Sequence, residues 1–496
     1  MSKAIDLVFD SLSPDSFMGT EFSSLLQNEF KPRSEQAHGL IKAAVHTLAQ
    51  QALSNTQLIA DDTLSTIAAL IAEIDKKLAA QVNAILHHPK FQAVEAAWRG
   101  LEYLVTHTET DDQLKIRFFN ASKAEVAHEL KKFKGAAWDQ SPLFKKIYEH
   151  EYGQFGGEPF GVLIADYYFD HNAPDVTLLG SLAKIAAAAH APLISAAAPA
   201  VMMMDSWREL ANPRDLSKIF QTAEYAAWRN LRASEDSRYV GLTMPRFLGR
   251  VPYGCKTAPV EAFSFEEVTD GDSDNYLWAN AAYAMGVSIN RSFKEFGWCS
   301  RIRGVESGGA ISGLPLHSYP TEDGGVDMTC PTEIAISDRR ELELAKNGFM
   351  PLVHCKNSTL AAFIGAQSLQ QPQTYSDTDA TANAMLSARL PYLFATCRFA
   401  HYFKCIVRDK IGSFKSRDDM QTWLNNWIIS YVERNPSTAS EADKARKPLA
   451  SAEVVVEDVP GDPGFYRAKF YLKPHYQLEG LTMSLRLVSQ LPSVKT

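Results

Sequence analysis

Paired cysteines and a surplus of basic charge are both missing from this sequence. Its six cysteines are scattered without any CxxC spacing, and in a chain this long such usage suits reduced, mostly buried thiols in a cytosolic protein. Acidic residues outnumber basic residues by 58 to 50, for a net charge of -8. A general nucleic-acid binder needs an excess of Lys and Arg to displace counterions, so we expect no nucleic-acid partner.

The start of the sequence lacks the pattern of a secretory signal, and the sequence has no long, uncharged apolar run. Its first ten residues contain no basic stretch followed by an apolar core, so no secretory signal is expected. The most apolar stretch, residues 178–204, contains Lys184, His190, Pro192 and Pro199 and is rich in alanine. A bilayer span needs about 20 predominantly apolar residues with few or no charges. We therefore interpret this stretch as protein core and expect no membrane insertion.

What the chain does have is ordinary globular composition and a length that exceeds one core. Apolar residues make up 46% and charged residues 22% of its 496 residues, so two or three domains are expected. We place boundaries after residues 60 and 375. They separate an N-terminal arm with short helices (1–60), a helical lead-in with an α/β middle region (61–375), and a C-terminal region with terminal β-strands (376–496).

An amphipathic helix is predicted near the start of the chain. Its apolar stripe, spaced i, i+3, i+4 and i+8, consists of Phe22, Leu25, Leu26 and Phe30. The spacing fits a detachable recognition helix that docks in a groove of another protein. It fits ordinary core packing equally well.

A longer helix is predicted after the cap candidates Asp61 and Asp62, and Pro89 ends it. Its apolar seam has near-heptad spacing and comprises Leu64, Ile67, Ile71, Ile74, Leu78 and Ile85. Such a seam must be buried against something. The core of its own domain and a helix of a partner chain are both open as the covering surface.

The middle region has the pattern of a βαβ unit. Residues 160–167 form a compact apolar run typical of a buried strand, residues 176–189 are helical and rich in alanine, and residues 192–198 fit the next strand. Strand, helix and strand in such close succession predict a parallel or mixed sheet.

The C-terminal region changes character twice. Residues 377–431 are predicted to be helical, and residues 436–448 are polar and turn-rich, which predicts an exposed loop or linker. Strands are then predicted at 453–459, 465–472 and 481–488, the last from alternating apolar and polar residues. A small terminal sheet has an unpaired edge, which is a hazard in a monomer and a docking site in an assembly.

One cluster of residues resembles an enzyme site. Asp166, Asp170 and His171 follow the strand predicted at 160–167, where ligands bind in open α/β sheets. Such side chains can hold a metal or transfer protons, but they also commonly bond to loop backbone. The glycine-rich stretches 153–161 and 304–313 match no phosphate-binding loop, so turns and close packing explain them better.

Several long blocks of this sequence resemble the large sheath subunit of type VI secretion systems, the TssC/VipB family. In the family's order they include 144–161 (FKKIYEHEYGQFGGEPFG), 212–220 (NPRDLSKIF), 331–341 (PTEIAISDRRE), 398–414 (RFAHYFKCIVRDKIGSF) and 474–492 (PHYQLEGLTMSLRLVSQLP). The resemblance covers roughly residues 90–492. Long ordered blocks make it highly specific.

The resemblance implies a structural subunit rather than an enzyme, with no catalytic residue, cofactor or metal. It implies pairing with a small sheath subunit (TssB/VipA-like) and stacking of the pairs into a helical sheath around an Hcp-like inner tube on a baseplate. Contraction propels the tube into a target cell, and an AAA+ unfoldase (ClpV-like) recycles the sheath. The expected location is the cytoplasm, in an assembly docked at the envelope. A metal- or phosphate-handling α/β enzyme using Asp166, Asp170 and His171 is the alternative.

The fold class expected on this basis is α/β and α+β multidomain: a helical N-terminal arm, a mixed α/β middle domain, and a C-terminal α+β domain like that of phage tail sheaths. Neighbouring subunits would complete its small sheet. The candidate inter-subunit strand residues are Val454, Val456, Phe470, Leu472, Met483, Leu485 and Leu487. The candidate unfoldase-binding helix is Phe22, Leu25, Leu26 and Phe30, and the candidate small-subunit seam is Leu64, Ile67, Ile71, Ile74 and Leu78.

Overall fold

The protein is represented by a computed structural model, which describes residues 34–37, 39, 40, 43, 63–212, 215–320, 324–410, 417–459 and 466–475. The helix predicted at 22–30 and the strand predicted at 481–488 lie outside these residues. The chain divides into two compact units, Met1–Phe91 with Pro252–Asn275, and Gln92–Val251 with Tyr276–Thr496. The predicted boundaries at residues 60 and 375 stay a prediction.

In the first unit, the helix predicted after Asp62 is confirmed as α1 (Thr63–Leu86). The next helix, α2 (Pro89–Thr106), begins at the proline that was expected to end α1, and most of its residues belong to the second unit. The last turn of α1 is tied to the loop 252–275. Asn83 donates from Nδ2 to Glu266 O at 3.1 Å and accepts the Val268 N–H at 3.0 Å.

The second unit contains the strands of the described chain. A six-stranded sheet has the order β1-β2-β3-β9-β10-β6, formed by β1 (Leu163–Phe169), β2 (Leu193–Ala197), β3 (Val240–Met244), β6 (Ala310–Ile311), β9 (Phe349–His354) and β10 (Ala361–Phe363). Two-stranded ribbons pair β4 (Phe247–Leu248) with β5 (Trp278–Ala279), β7 (Ser318–Pro320) with β8 (Val326–Met328), and β11 (Leu449–Asp458) with β12 (Tyr466–Pro474).

The longer helices that surround these strands are α3 (Lys123–Lys132), α4 (Ala173–Ala189), α5 (Ala226–Ala233), α6 (Ala281–Phe296), α7 (Asp338–Lys346), α8 (Thr378–Ser387), α9 (Leu390–Lys410), α10 (Arg417–Ile429) and α11 (Glu441–Arg446). Among the residues described, no helix has the length and apolar character needed to cross a bilayer.

The predicted βαβ unit is confirmed as β1, α4 and β2, and β1 pairs in parallel with β2. Buried alanines such as Ala183 and Ala186 let α4 lie close to the sheet in one core cluster. On the opposite face, Met285 of α6 packs with Ile194 and Met350 in a second cluster. Helices therefore cover both faces of the parallel strands, which explains their continuous apolar sequence.

A third core cluster belongs to the C-terminal region. Phe399 of α9, Leu424 and Ile428 of α10, and Val454 and Val456 of β11 form it together with neighbouring aromatic side chains. The helical prediction for residues 377–431 is confirmed as α8, α9 and α10, with 411–416 outside the described residues. The first two predicted terminal strands are present as β11 and β12.

The linker predicted at residues 436–448 is wrong in part. Residues 441–446 form α11, whose N-terminus is capped by Ser440, because the Ser440 Oγ accepts the Asp443 N–H at 3.1 Å. Ala445 is only 4% exposed. A capping serine followed three residues later by an acidic residue is a helix-start signal, and the polar composition of the stretch concealed it.

Candidate assembly interface

The β11–β12 hairpin has two different faces. In its antiparallel register, Val454 lies opposite Phe470 and Val456 opposite Ala468. These residues face inward, and the Phe470 ring stacks on Phe403 of α9 with ring centroids 3.7 Å apart. Leu472 packs against the same core. The structure thus brings four of the predicted strand residues together on the inner face, whereas Met483, Leu485 and Leu487 lie outside the described residues.

The outer face of the hairpin is charged. On β12 it carries Arg467, Lys469 and Lys473, and on β11 it carries Glu453 and Glu457. The Lys469 ammonium lies 2.7 Å from the Glu457 carboxylate, with both side chains about half exposed. An exposed pair of this kind contributes little to stability. The outer face is therefore mainly charged, with Val455 and the exposed Tyr471 between the charged side chains.

The outer edge of β11 is occupied by α10. Val454 N–H donates to Asn425 Oδ1 at 2.9 Å, and Val456 N–H donates to Gln421 Oε1 at 2.9 Å. These two residues of β11 therefore direct their backbone away from β12. In an antiparallel ladder the residues opposite them do the same in the other direction, so the backbone groups of Phe470 and Ala468 point away from β11.

The outer edge of β12 is open in the described chain. Within that part of the molecule, β11 is the only strand paired with β12. Main-chain donors and acceptors along such an edge form a template for another strand. The open edge of β12 is the feature of this hairpin best suited to joining one chain to another.

An apolar groove lies beside the open edge. It has a cavity volume of about 390 Å³ and is lined by Ala400, Phe403, Lys404, Val407, Arg408, Ala468 and Phe470. The inward side chains of a strand added next to β12 would enter it. Five of the lining residues belong to α9 and recur at helical spacing. This spacing is the sequence pattern that could have predicted the groove.

Two cations border this groove and connect α9 to the π-helix Lys145–Tyr152 and the turn that follows it. The Lys404 ammonium lies 3.7 Å from the centroid of the Tyr152 ring. Arg408 donates to Gln154 O at 2.8 Å and lies over the ring of Phe155, which is 77% exposed. Cation–π contacts of this kind hold charged side chains at the rim without burying the charge.

The predicted seam on α1 is partly exposed within the described part of the chain. Ile71 is 54% exposed, and Ile74 and Leu78 are half-buried. Leu64 and Ile67 belong to the same helix, but their side chains lie outside the described part of the structure. The role of this seam stays a prediction.

The enzyme-like residues are each engaged in structure. Asp166 accepts from Asn280 Nδ2 at 3.0 Å, and burial raises the pKa of its carboxyl group. Asp170 accepts the Asn172 N–H at 2.7 Å in the loop after β1. His171 donates from Nδ1 to Ala200 O at 3.0 Å. The structure therefore gives separate structural partners to the three residues proposed for the alternative enzyme.

The glycine-rich stretches have the close-packing role expected of them. A Cβ on Gly157 would collide with the Glu151 carbonyl, and a Cβ on Gly309 would collide with the Phe363 carbonyl. Gly308 has a φ of 93°, a region that favours glycine. In the described ranges, no group of three or more His, Cys, Asp or Glu is arranged to hold a metal ion.

Comparison with known families gives matches over most of the chain. The model of the EvpB/VC_A0108 tail sheath N-terminal domain matches residues 68–370, and the model of the EvpB/VC_A0108 tail sheath gpW/gp25-like domain matches residues 379–491. The type VI secretion system sheath protein TssC1 of Pseudomonas aeruginosa is 68% identical over 477 residues, which cover 96% of this chain and 96% of that protein.

Solved structures give more distant matches. The baseplate of the anti-feeding prophage matches with 11% identity and a TM-score of 0.35, covering 64% of this chain and 67% of that chain. The contracted sheath complex of the extracellular contractile injection system PVC matches with 9% identity and a TM-score of 0.30, covering 59% and 63%.

Proposed function

The chain belongs to the EvpB/VC_A0108 tail sheath family, and from that membership we propose that it is the large subunit of a type VI secretion contractile sheath. The observation that carries the proposal is the 68% identity to a type VI sheath protein across 96% of both chains. The match includes the C-terminal region that holds the hairpin. The role is structural, and the chain acts without catalytic residues.

The proposed partners follow from this role. The chain pairs with a small sheath subunit, and the pairs assemble with further copies into a helical sheath on a baseplate. The sheath surrounds an inner tube protein in the cytoplasm, next to the envelope. An AAA+ unfoldase recycles the contracted form through the helix at Phe22, Leu25, Leu26 and Phe30, and the seam on α1 contacts the small subunit.

The joint between copies is the open edge of β12. We assign its occupant as residues 481–488 of a neighbouring copy, where Leu481, Met483, Leu485 and Leu487 alternate with polar residues. The apolar side chains would enter the groove beside Phe470. Main-chain bonds depend little on side-chain identity, so a joint of this type can persist while subunits rotate.

Contraction in this scheme needs no nucleotide in this chain. An extended sheath can store free energy if the contracted form buries more apolar surface, at about 2.5 kcal/mol for each additional 100 Å². Summed over many subunits, that difference performs work. Contacts that repeat without closing on themselves build the helical tube in which the work accumulates.

A proline in the open edge tests this function. Ala468→Pro removes a backbone N–H that faces away from β11, so it should block strand addition while leaving the hairpin paired. Ala468→Val is the matched control because it keeps the N–H. Co-expressed with the small subunit, the proline variant should still form the pair but yield no tubes by negative-stain microscopy. Normal tubes from Ala468→Pro would overturn the proposed joint.

A further inference from the structure

The two edges of the hairpin are treated differently by the chain itself. Asn425 reproduces the bonds of a neighbouring strand: its Nδ2 donates to Val454 O at 2.8 Å, and its Oδ1 accepts the Val454 N–H at 2.9 Å. The second Nδ2 proton goes to Gln421 O at 3.0 Å. Every donor of this amide is therefore in use, and its orientation is fixed.

Further contacts lie along this edge. Gln421 accepts the Val456 N–H one step further along β11. At the start of the strand, Leu449 N–H donates to Tyr431 O at 3.3 Å, and Glu433 N–H donates to Leu449 O at 3.0 Å. At its end, Arg417 lies 3.2 Å from the Asp458 carboxylate. A strand approaching β11 would have to displace these bonds.

The helix positions show that the amides serve the edge rather than the core. Leu424 and Ile428 of α10 are buried in the third cluster. Gln421 and Asn425, four residues apart, form the adjacent stripe and meet the strand backbone. A bare edge at this place would accept a strand from any neighbouring copy.

We propose that Asn425 and Gln421 are specificity-determining residues that seal β11, so that the hairpin accepts a donated strand beside β12 alone. This inference rests on the proposed function, because it assigns the one edge at which residues 481–488 of a neighbouring copy are received. One open edge for each subunit gives the joint a single direction. Sheet growth at both edges would instead link copies into branched or aggregated assemblies.

Hydrogen exchange of the two strands tests the seal directly. The full chain is co-expressed with the small subunit, and the dispersed and pelleted fractions are compared by mass spectrometry. Amides in 466–474 should exchange at least about tenfold more slowly in the tubes, as expected for groups that enter a sheet. Amides in 451–458 should be protected equally in both fractions. Slowing at 451–458 on assembly, similar to that at 466–474, would overturn the seal.

Variants at adjacent positions of α10 test the bonding of Asn425 to β11 separately from strand addition beside β12. Asn425→Leu should raise exchange in 451–458 of the dispersed fraction about tenfold, the effect of losing such a bond, and should turn tubes into irregular aggregates. The exposed neighbour Asn426 provides the control Asn426→Leu, which should behave like the unmodified chain. Asn425→Asp keeps the acceptor for Val454 N–H and should give an intermediate result.

The outcomes distinguish the two proposals. If Asn425→Leu matches Asn426→Leu in exchange and in tube formation, the amide does not seal the edge, although the joint at β12 can still stand. If Asn425→Leu unfolds, the exchange comparison on the unmodified chain still decides whether β11 receives a strand. If tubes form without slower exchange in 466–474, the joint at β12 is overturned, and the purpose assigned to Asn425 falls with it.

Discussion

In the second unit, the six-stranded sheet and the β11–β12 hairpin differ in how far the chain itself covers them. Parallel strands such as β2 are buried on both faces, between α4 on one side and α6 on the other. Among the described residues, the β11–β12 hairpin is buried on its inner face, bonded by α10 along β11, and unpaired along the outer edge of β12. The first arrangement supports a stable body. The second leaves one defined place where another chain can complete the structure.

The largest expected effect concerns the core of the six-stranded sheet. Trp228 is fully buried and stacks on Phe349 of β9, with ring centroids 6.2 Å apart. Trp228→Ala should lower the free energy of unfolding by about 3–5 kcal/mol, because it creates a large cavity. Trp98→Ala is the control: Trp98 is 61% exposed and should cost less than about 1 kcal/mol. Denaturant titration of both variants measures the difference, and equal losses would contradict the assignment of this core.

Acidification tests the contact between α9 and the end of α4, which packs on the six-stranded sheet. Burial lowers the pKa of His401 to about 4, and the neutral ring donates from Nε2 to Ala189 O at 2.9 Å. Since the unfolded value is near 6.5, the unfolded chain binds the extra proton. The free energy of unfolding should therefore fall between about pH 6.5 and pH 4, by at most about 3 kcal/mol.

His401→Gln keeps a donor without the titration, so it should flatten this part of the stability curve. Denaturant unfolding at a series of pH values measures it. The exposed His88→Gln should leave the curve unchanged. An equally steep loss of stability in His401→Gln would show that other groups cause it.

A substitution in the β11–β12 hairpin should have a smaller effect on stability but a large effect on assembly. Phe470 is half-buried on Phe403 and lines the groove. Phe470→Ala should lower the free energy of unfolding by about 1–2 kcal/mol, less than for a fully buried ring, and should abolish tubes. Tyr471→Ala, on the exposed outer face, is the control. Sedimentation of the co-expressed pair measures assembly, and tubes from Phe470→Ala equal to those from Tyr471→Ala would argue against the groove.

The smallest effect concerns charge on the donated strand. If Leu485 and Leu487 enter the groove, Arg486 faces outward beside the cations Arg467 and Lys469 of β12. Arg486→Glu should then stabilise the joint by about 0.2–1 kcal/mol for each cross-strand pair. The tubes should resist dissociation by denaturant slightly better. Weaker tubes would indicate that a different strand occupies the edge beside β12.

Local patterns predicted much of the fold. The apolar run before Asp166 and the alanines of residues 176–189 identified the βαβ unit, and alternation identified β11 and β12. A local signal was available for α11 at Ser440 and Asp443, but it was hidden in a polar stretch. These elements are determined mainly by residues close together in the sequence.

Contacts between distant residues could not be predicted in the same way. Asn425 bonds Val454 from 29 positions away, and Asn280 bonds Asp166 from 114 positions away. No spacing rule connects such pairs. For that reason the sequence predicted a terminal sheet with an open edge, but only the structure shows which edge is unpaired among the described residues and why Asp166 is an anchored side chain.

A reconstruction of the tubes by electron cryomicroscopy would test the central claim most directly. The account predicts a third strand about 4.8 Å from β12, traceable to residues 481–488 of a neighbouring copy, with the amides of α10 still bonded to β11. A tube in which the β12 edge faces solvent, or in which the added strand lies beside β11, would contradict it.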